Sequence, residues 1–239
     1  LAFYLDEVIN INTAVILAAG KGSRMKAGMN KQFLMLQERP VIAYTLAAFD
    51  QCSEIDEIIV VTAPDEVEYF QNNILDKFKF NKVKKLIAGG LERQQSAYNG
   101  IKSISRDCEI ILIHDGARPF VSQQAIIDCI NNAKIYGAAS AGMPSKDTVK
   151  LVDEDGIVTS TPLRDRVWQT QTPQAFKRSL IIDAHEKAQD KGITATDDAM
   201  LVEILGHQVK MTEASYENIK ITTPEDLSVA EQLIKIINK

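Results

Sequence analysis

The chain has 239 residues, 45% of them hydrophobic and 25% charged, the profile of an ordinary soluble globular protein of one large or two small domains. A net charge of -5, from 32 Asp and Glu against 27 Lys and Arg, argues against broad nucleic-acid binding. No apolar run approaches the roughly 20 residues that span a bilayer.

The opening LAFYLDEVININ carries acids and no basic n-region, so residues 1–12 read as a leading extension rather than a signal peptide. Residues 13–18 (TAVILA), 57–62 (EIIVVT), 83–88 (VKKLIA) and 109–114 (EIILIH) are apolar, β-prone runs that suit a parallel sheet covered on both faces. Helical patterns lie between and after them, at 40–50, 65–79, 93–105 and 122–136, two of them starting near Pro40 and Pro64. Strand alternating with helix predicts an open, doubly wound α/β domain. The rhythm changes after Ala138. DTVKLVDEDGIVTSTP holds two short β-prone runs around Asp153-Glu154-Asp155-Gly156, a hairpin signal, and its polar character predicts an arm at about 145–167 that meets a partner subunit. QTPQAF (171–176) reads as a polar turn. Helices are expected at 177–189 and 197–205, a strand pair at 208–213 and 217–222, and a final helix at 224–237. No repeat or linker divides the chain, so residues 13–239 read as one domain.

Cys52, Cys108 and Cys129 are odd in number and widely spaced, and His114, His185 and His207 show no metal-ligand spacing. Reduced thiols of a cytoplasmic protein are the expectation.

LAAGKGSRMKAGMNKQFL (17–34) carries the chemistry. Residues 8–37 contain no Asp or Glu, yet hold Lys21, Arg24, Lys26 and Lys31. Gly20 and Gly22 allow a tight turn whose N–H groups face an anion, and Lys21, Arg24 and Lys31 can add charge-assisted hydrogen bonds to phosphate. The loop is neither a Walker A nor a dinucleotide fingerprint, because Met25 stands where the latter needs its third glycine. AGGLERQQS (88–96) adds a second glycine turn with Arg93 and Ser96, and HDGARPF (114–120) adds Asp115 and Arg118. TPLRDR (161–166) brings Arg164 and Arg166, TDDA (196–199) suits a helix cap, and NIKITTPEDL (218–227) brings Lys220. With many cations, no nucleophile elbow and no zinc motif, the inventory favours transfer of a phosphorus centre over acyl transfer or hydrolysis.

Together LAAGKGSRM, NKQFL, AGGLERQQS, HDGARPF, DTVK, QTPQAF, TDDA and NIKITTPEDL resemble the 2-C-methyl-D-erythritol 4-phosphate cytidylyltransferases, from Ala14 to about Leu233. The resemblance implies a Rossmann-like nucleotidyltransferase fold, a homodimer joined by the β-arm, and Mg²⁺ bound with CTP. It implies catalytic roles for Arg24, Lys31 and Lys220, and nucleotide contacts from Ala18, Ala19, Gly20, Lys21, Gly22 and Ser23. Gly89, Gly90, Arg93 and Ser96 fall on the cytosine and ribose side. Asp115, Arg118, Thr148, Arg164 and Thr196 fall to the polyol phosphate or the reacting phosphates, Thr148 and Arg164 through the neighbouring subunit. Leu91, Met200 and Ser145 depart from the family pattern and bear only on fine contacts. Ribitol 5-phosphate cytidylyltransferases are similar through KGSRM, KQFL, RPF, QTPQ and NIKITTP; LAAG and HDGARPF favour methylerythritol phosphate. A sugar-1-phosphate nucleotidyltransferase and a non-catalytic nucleotide-binding regulator are the remaining alternatives, and the retained cations count against the regulator.

Overall fold

The computed structural model describes residues 10–20 and 30–237. Its centre is a seven-stranded sheet built from β1 (Ile11–Ala18), β4 (Glu57–Thr62), β5 (Val83–Ala88), β6 (Cys108–Asp115), β7 (Ala138–Pro144), β10 (Trp168–Lys177) and β11 (Lys210–Glu213), in the order β11-β7-β10-β6-β1-β4-β5. Two short hairpins stand outside it: β2 (Met35–Leu36) with β3 (Arg39–Pro40), and β8 (Leu151–Val152) with β9 (Val158–Ser160). β10 runs antiparallel between β6 and β7; the other pairings of the sheet are parallel.

Alternation along the strands sorts side chains into two cores. Ala14, Ile16, Ile58, Val60, Ile110 and Leu112 face one side. There they meet α1 (Val41–Asp50) through Ile42, Leu46 and Phe49, and α5 (Gln123–Tyr136) through Ile126, Cys129 and Ile130. Val15, Ile59, Val61, Ile111, Ile113 and Phe176 face the other. They pack on α4 (Arg93–Lys102), α6 (Arg178–Lys191) and α7 (Asp198–Ile204). Burial on both faces is why these strands are continuously apolar. Gly100 lets α4 lie close to the sheet, since a Cβ there would collide with Val15 Cγ1. The stretch after β4 is two helical turns, α2 (Val67–Phe70) and α3 (Asp76–Phe78), either side of a π segment at Gln71–Leu75. A third, small core lets α8 (Pro224–Ile237) close over Leu36, Val41 and Ile221. No helix among the described residues is long and apolar enough to cross a membrane.

Three expectations need correction. Residues 171–176 lie within β10 rather than in a turn, with Pro173 at a register shift between Thr170 and Gln174, where a strand tolerates a missing N–H. β7 was not expected because AASAGMP has neither β-branched nor aromatic residues, yet it is buried in the sheet. Residues 217–222 are not a strand paired with β11, which pairs with β7 instead. They form an extended segment tied down by Ile221 N–H to the Ala117 carbonyl at 2.9 Å, and by the Asn218 side chain to Gln171 Oε1 and the Thr172 carbonyl.

Candidate active site

The chain builds β1, β4 and β5 in one direction across the sheet and then crosses to place β6 on the other side of β1. The order reverses between β1 and β6, where Leu17 and Asp115 are register partners at the strand ends. Ligands of open α/β sheets bind at such a reversal. A cavity of about 800 Å³ opens there, within the usual size for a small-molecule site. Its wall comes from successive strand ends: Ala19 and Gly20 after β1, Ala63 to Asp65 after β4, Gly89 to Glu92 after β5, and Asp115 at the end of β6 with Ala117 just beyond it. Lys31, Gln32, Arg93, Gln95, Ser96 and Lys220 also line it.

Asp115 is the hub. Lys220 Nζ stands 2.8 Å from Oδ2, Arg118 Nε 3.6 Å from Oδ2, and Arg93 Nε 3.5 Å from Oδ1. Burial alone would raise its pKa, but Lys220, then Arg93 and Arg118, outweigh burial and hold it well below the usual carboxylate range. Opposite charges 4 Å apart attract by about 4 kcal/mol at an effective dielectric of 20, so three cations can offset the loss of water. For Arg118 the balance runs the other way: burial lowers its pKa despite Asp115.

The backbone behind Asp115 is equally fixed. His114 is fully buried, and burial pulls its pKa down to about 4, so the ring is neutral at neutral pH. Its Nε2 lies 3.2 Å from the Arg118 carbonyl, which can only accept, so Nε2 carries the proton. Nδ1 then accepts from the Thr172 hydroxyl at 3.1 Å, and that oxygen accepts the Asp115 N–H at 3.0 Å.

Arg93 opens α4 and is gripped from behind. Its Nη1 lies 2.7 Å from Asp198 Oδ2, and Asp198 Oδ1 lies 3.0 Å from His185 Nε2. Burial works against ionising both partners, but Asp198 and Asp115 raise the Arg93 pKa, and Arg93 and His185 lower that of Asp198. The glycine turn before α4 rests on Ser96, whose Oγ accepts from Gly90 N–H at 3.1 Å and donates to the Glu92 carbonyl at 3.0 Å. A Cβ at Gly89 would come within 2.7 Å of Ala19 Cβ, so the two loops meet only because that side chain is missing.

Of the residues singled out in the sequence, Ala19, Gly20, Lys31, Gly89, Gly90, Arg93, Ser96, Asp115 and Lys220 line this cavity. Ala18 is buried behind it, its carbonyl accepting from the Gln32 side-chain amide. Arg118 backs Asp115 and donates to the Asn218 carbonyl at 2.7 Å. Lys21, Gly22, Ser23 and Arg24 lie outside the described residues. Thr148 and Arg164 are not on the cavity wall of a single chain; Arg164 is exposed in a short turn beyond the hairpin arm. Thr196 is exposed and also off the wall: within TDDA, Asp197 caps α7 through Met200 N–H, and Asp198 is the residue that reaches the site. Sequence reading missed Gln32, Gln95, Asp198, His185, Gln174 and Thr172. NKQFL, AGGLERQQS, QTPQ and TDDA contain Gln32, Gln95, Thr172, Gln174 and Asp198 as short polar runs, but His185 lies outside every one of them.

The sequence profile of the 2-C-methyl-D-erythritol 4-phosphate cytidylyltransferases matches residues 12–236. The chain is 51% identical to the enzyme of that name from Caldanaerobacter subterraneus over 223 residues, 93% of this chain and 98% of the relative. It is 48% identical to that of Alkaliphilus oremlandii over 229 residues, 96% of this chain and 97% of the relative. A crystal structure of 4-diphosphocytidyl-2C-methyl-D-erythritol synthase from Anaerococcus prevotii superposes with a TM-score of 0.84 at 34% identity, covering 95% of this chain and 96% of that one. The corresponding Thermus thermophilus structure gives 0.76 at 32% identity, covering 95% and 100%. The cation-walled cavity at the sheet's reversal point therefore has its place in a known lineage: the chain belongs to the 2-C-methyl-D-erythritol 4-phosphate cytidylyltransferase family.

Proposed function

We propose that this protein transfers the cytidylyl group of CTP to 2-C-methyl-D-erythritol 4-phosphate and releases pyrophosphate. The observation that carries the reading is the cluster of Lys220, Arg93 and Arg118 around one carboxylate, in a cavity that Lys31 also lines. A 4-phosphate oxygen attacks the α-phosphorus of CTP. The new P–O bond forms as the bond to the α,β-bridging oxygen breaks, and pyrophosphate leaves with that oxygen and its electron pair. The nucleophile is already anionic, so no strong base is needed, and positioning with charge neutralisation dominates. Lys31 and Lys220, with Arg24, oppose the charge that gathers on the α-phosphate and the leaving group. Arg93 and the Gly89–Gly90 turn take the nucleoside side, and Asp115 and Arg118 the polyol side.

Mg²⁺ accompanies CTP in this reading. Among the described residues no three His, Cys, Asp or Glu side chains gather to hold a metal alone. Mg²⁺ bound chiefly by phosphates and water needs only one or two carboxylates, and Asp115, the buried carboxylate of the cavity, fits that part. When bound, the ion would share the neutralisation of the triphosphate.

Two copies would join through the β8–β9 arm, and Thr148 and Arg164 would reach the neighbour's cavity. Ile157 and Leu163, each 64% exposed, with Leu151 and Val158 at 53%, support a covered arm. Three buried free cysteines suit a reducing cytoplasm. The test is pyrophosphate release from CTP and Mg²⁺, with methylerythritol 4-phosphate and ribitol 5-phosphate side by side. Preference for the first is expected; release with neither sinks the cytidylyltransferase reading. A monomer in light scattering would remove the arm-joined dimer.

A further inference from the structure

We infer that His185 is a positioning residue for nucleotide binding, acting through Asp198 on Arg93. It lies in α6, remote in sequence from every loop of the cavity, and its side chain is almost wholly buried. Asp198 is ionised, since Arg93 and His185 outweigh its burial, and an ionised carboxylate only accepts hydrogen bonds. His185 Nε2 therefore carries a proton and donates to Oδ1 at 3.0 Å, while Oδ2 takes Arg93 Nη1 at 2.7 Å. The carboxylate is held from both ends.

Two more contacts fix this chain in space. The His185 ring is stacked on Tyr98 of α4, 5.5 Å between centroids and 6° between planes. The backbone N–H groups of Asp198 and Ala199 both donate to Gln174 Oε1 at 3.1 Å. Asp198 thus has a fixed backbone and one fixed oxygen, and its other oxygen sets the direction of the Arg93 fork. Without the His185 donor, Asp198 keeps its charge but gains a free rotation, and its second oxygen loses its buried partner. Arg93 would then be drawn out of line with the cavity. A guanidinium recognises its ligand through a rigid fork, so lost alignment costs binding more than it costs the chemical step.

The inference rests on the nucleotide reading of the cavity, and CTP is the probe. His185→Leu keeps bulk and removes the donor; His185→Gln restores an N–H at similar reach. CTP affinity by calorimetry, and KM and kcat for each substrate, are measured for both. Expected for His185→Leu is a roughly tenfold weaker CTP affinity, with kcat and the polyol phosphate KM within about twofold of the parent. His185→Gln should recover most of that loss. On an Arg93→Gln background, His185→Leu should add no further loss of CTP affinity. Should His185→Leu unfold, Asp198→Asn with His185→Gln supplies the same comparison through the same carboxylate. Unchanged CTP affinity in His185→Leu, or an equal further loss without Arg93, overturns the inference. A parent protein that binds CTP but turns over neither polyol phosphate would defeat the proposed reaction and still score His185.

Discussion

Lys220 Nζ and Asp115 Oδ2 are 2.8 Å apart, although one comes from the extended run before α8 and the other from the end of β6. The lysine is aimed across the cavity by a carboxylate that three cations keep ionised. In the proposed reaction this pre-orients its charge for the transferring phosphate. Lys31→Ala and Lys220→Ala should each lose about 2–4 kcal/mol of transition-state stabilisation, seen mainly in kcat. CTP affinity should fall less. Steady-state kinetics beside calorimetry separates the two, and near-normal turnover in Lys31→Ala would remove that residue from the chemistry.

Gln174 has no solvent exposure, and its amide joins two elements. It accepts from the N–H groups of Asp198 and Ala199 and donates to Ser140 Oγ at 3.1 Å and Asp197 Oδ2 at 2.9 Å. Gln174→Leu fills the space but strands these partners, so stability should drop by about 2–4 kcal/mol. Urea unfolding reads this directly, and a midpoint shift with unchanged slope is expected.

His114 sets an acid limit on the fold. Its folded pKa of about 4 lies below the ordinary histidine value of 6.5, so the unfolded chain binds the extra proton between those values. The stability is fully present above pH 6.5 and is lost as pH falls towards 4, by about 3 kcal/mol in total. Below that, protonation of Asp115 removes the centre of the cation cluster, since its folded pKa is also depressed. Chemical denaturation across pH 4 to 8 should show the first loss. A flat profile over that range would rule out a neutral buried His114.

Gly89→Ala should disturb the nucleotide side of the cavity. The added methyl would lie 2.7 Å from Ala19 Cβ and 2.8 Å from Ser96 Oγ, with the Thr62 carbonyl at 3.3 Å. Overpacking of this kind costs about 1–3 kcal/mol. The CTP KM should rise while the polyol phosphate KM stays close to the parent value; the reverse pattern would place the nucleotide elsewhere.

What could be read from the sequence follows from what each residue reports locally. β1, β4 and β6 were legible because strands covered on both faces are apolar throughout. β7 was not, because Ala138 to Pro144 (AASAGMP) is buried but made mostly of small residues, which carry no strand signal. Pro173 and Gln174 disguised β10, where a register shift absorbs the proline and a buried amide serves α7. In the site, the glycine turns, Arg93, Asp115 and Lys220 announced themselves as polar runs at strand ends. His185 did not, since an isolated histidine in an amphipathic helix looks like any other. Its meaning comes from Asp198, which only the folded chain brings to Arg93.

Asp115 also has a meaning for the cavity before any substrate enters. It acts as a built-in counter-ion, keeping Lys220, Arg93 and Arg118 gathered against their mutual repulsion. An arriving phosphate does not meet bare cations but must share them with a carboxylate that never leaves. Binding becomes an exchange of partners, in which a singly charged, weakly coordinating anion gains little and a polyphosphate with several oxygens gains much. In the proposed reaction the lysine and arginines are thereby held together before, during and after the ligand's visit.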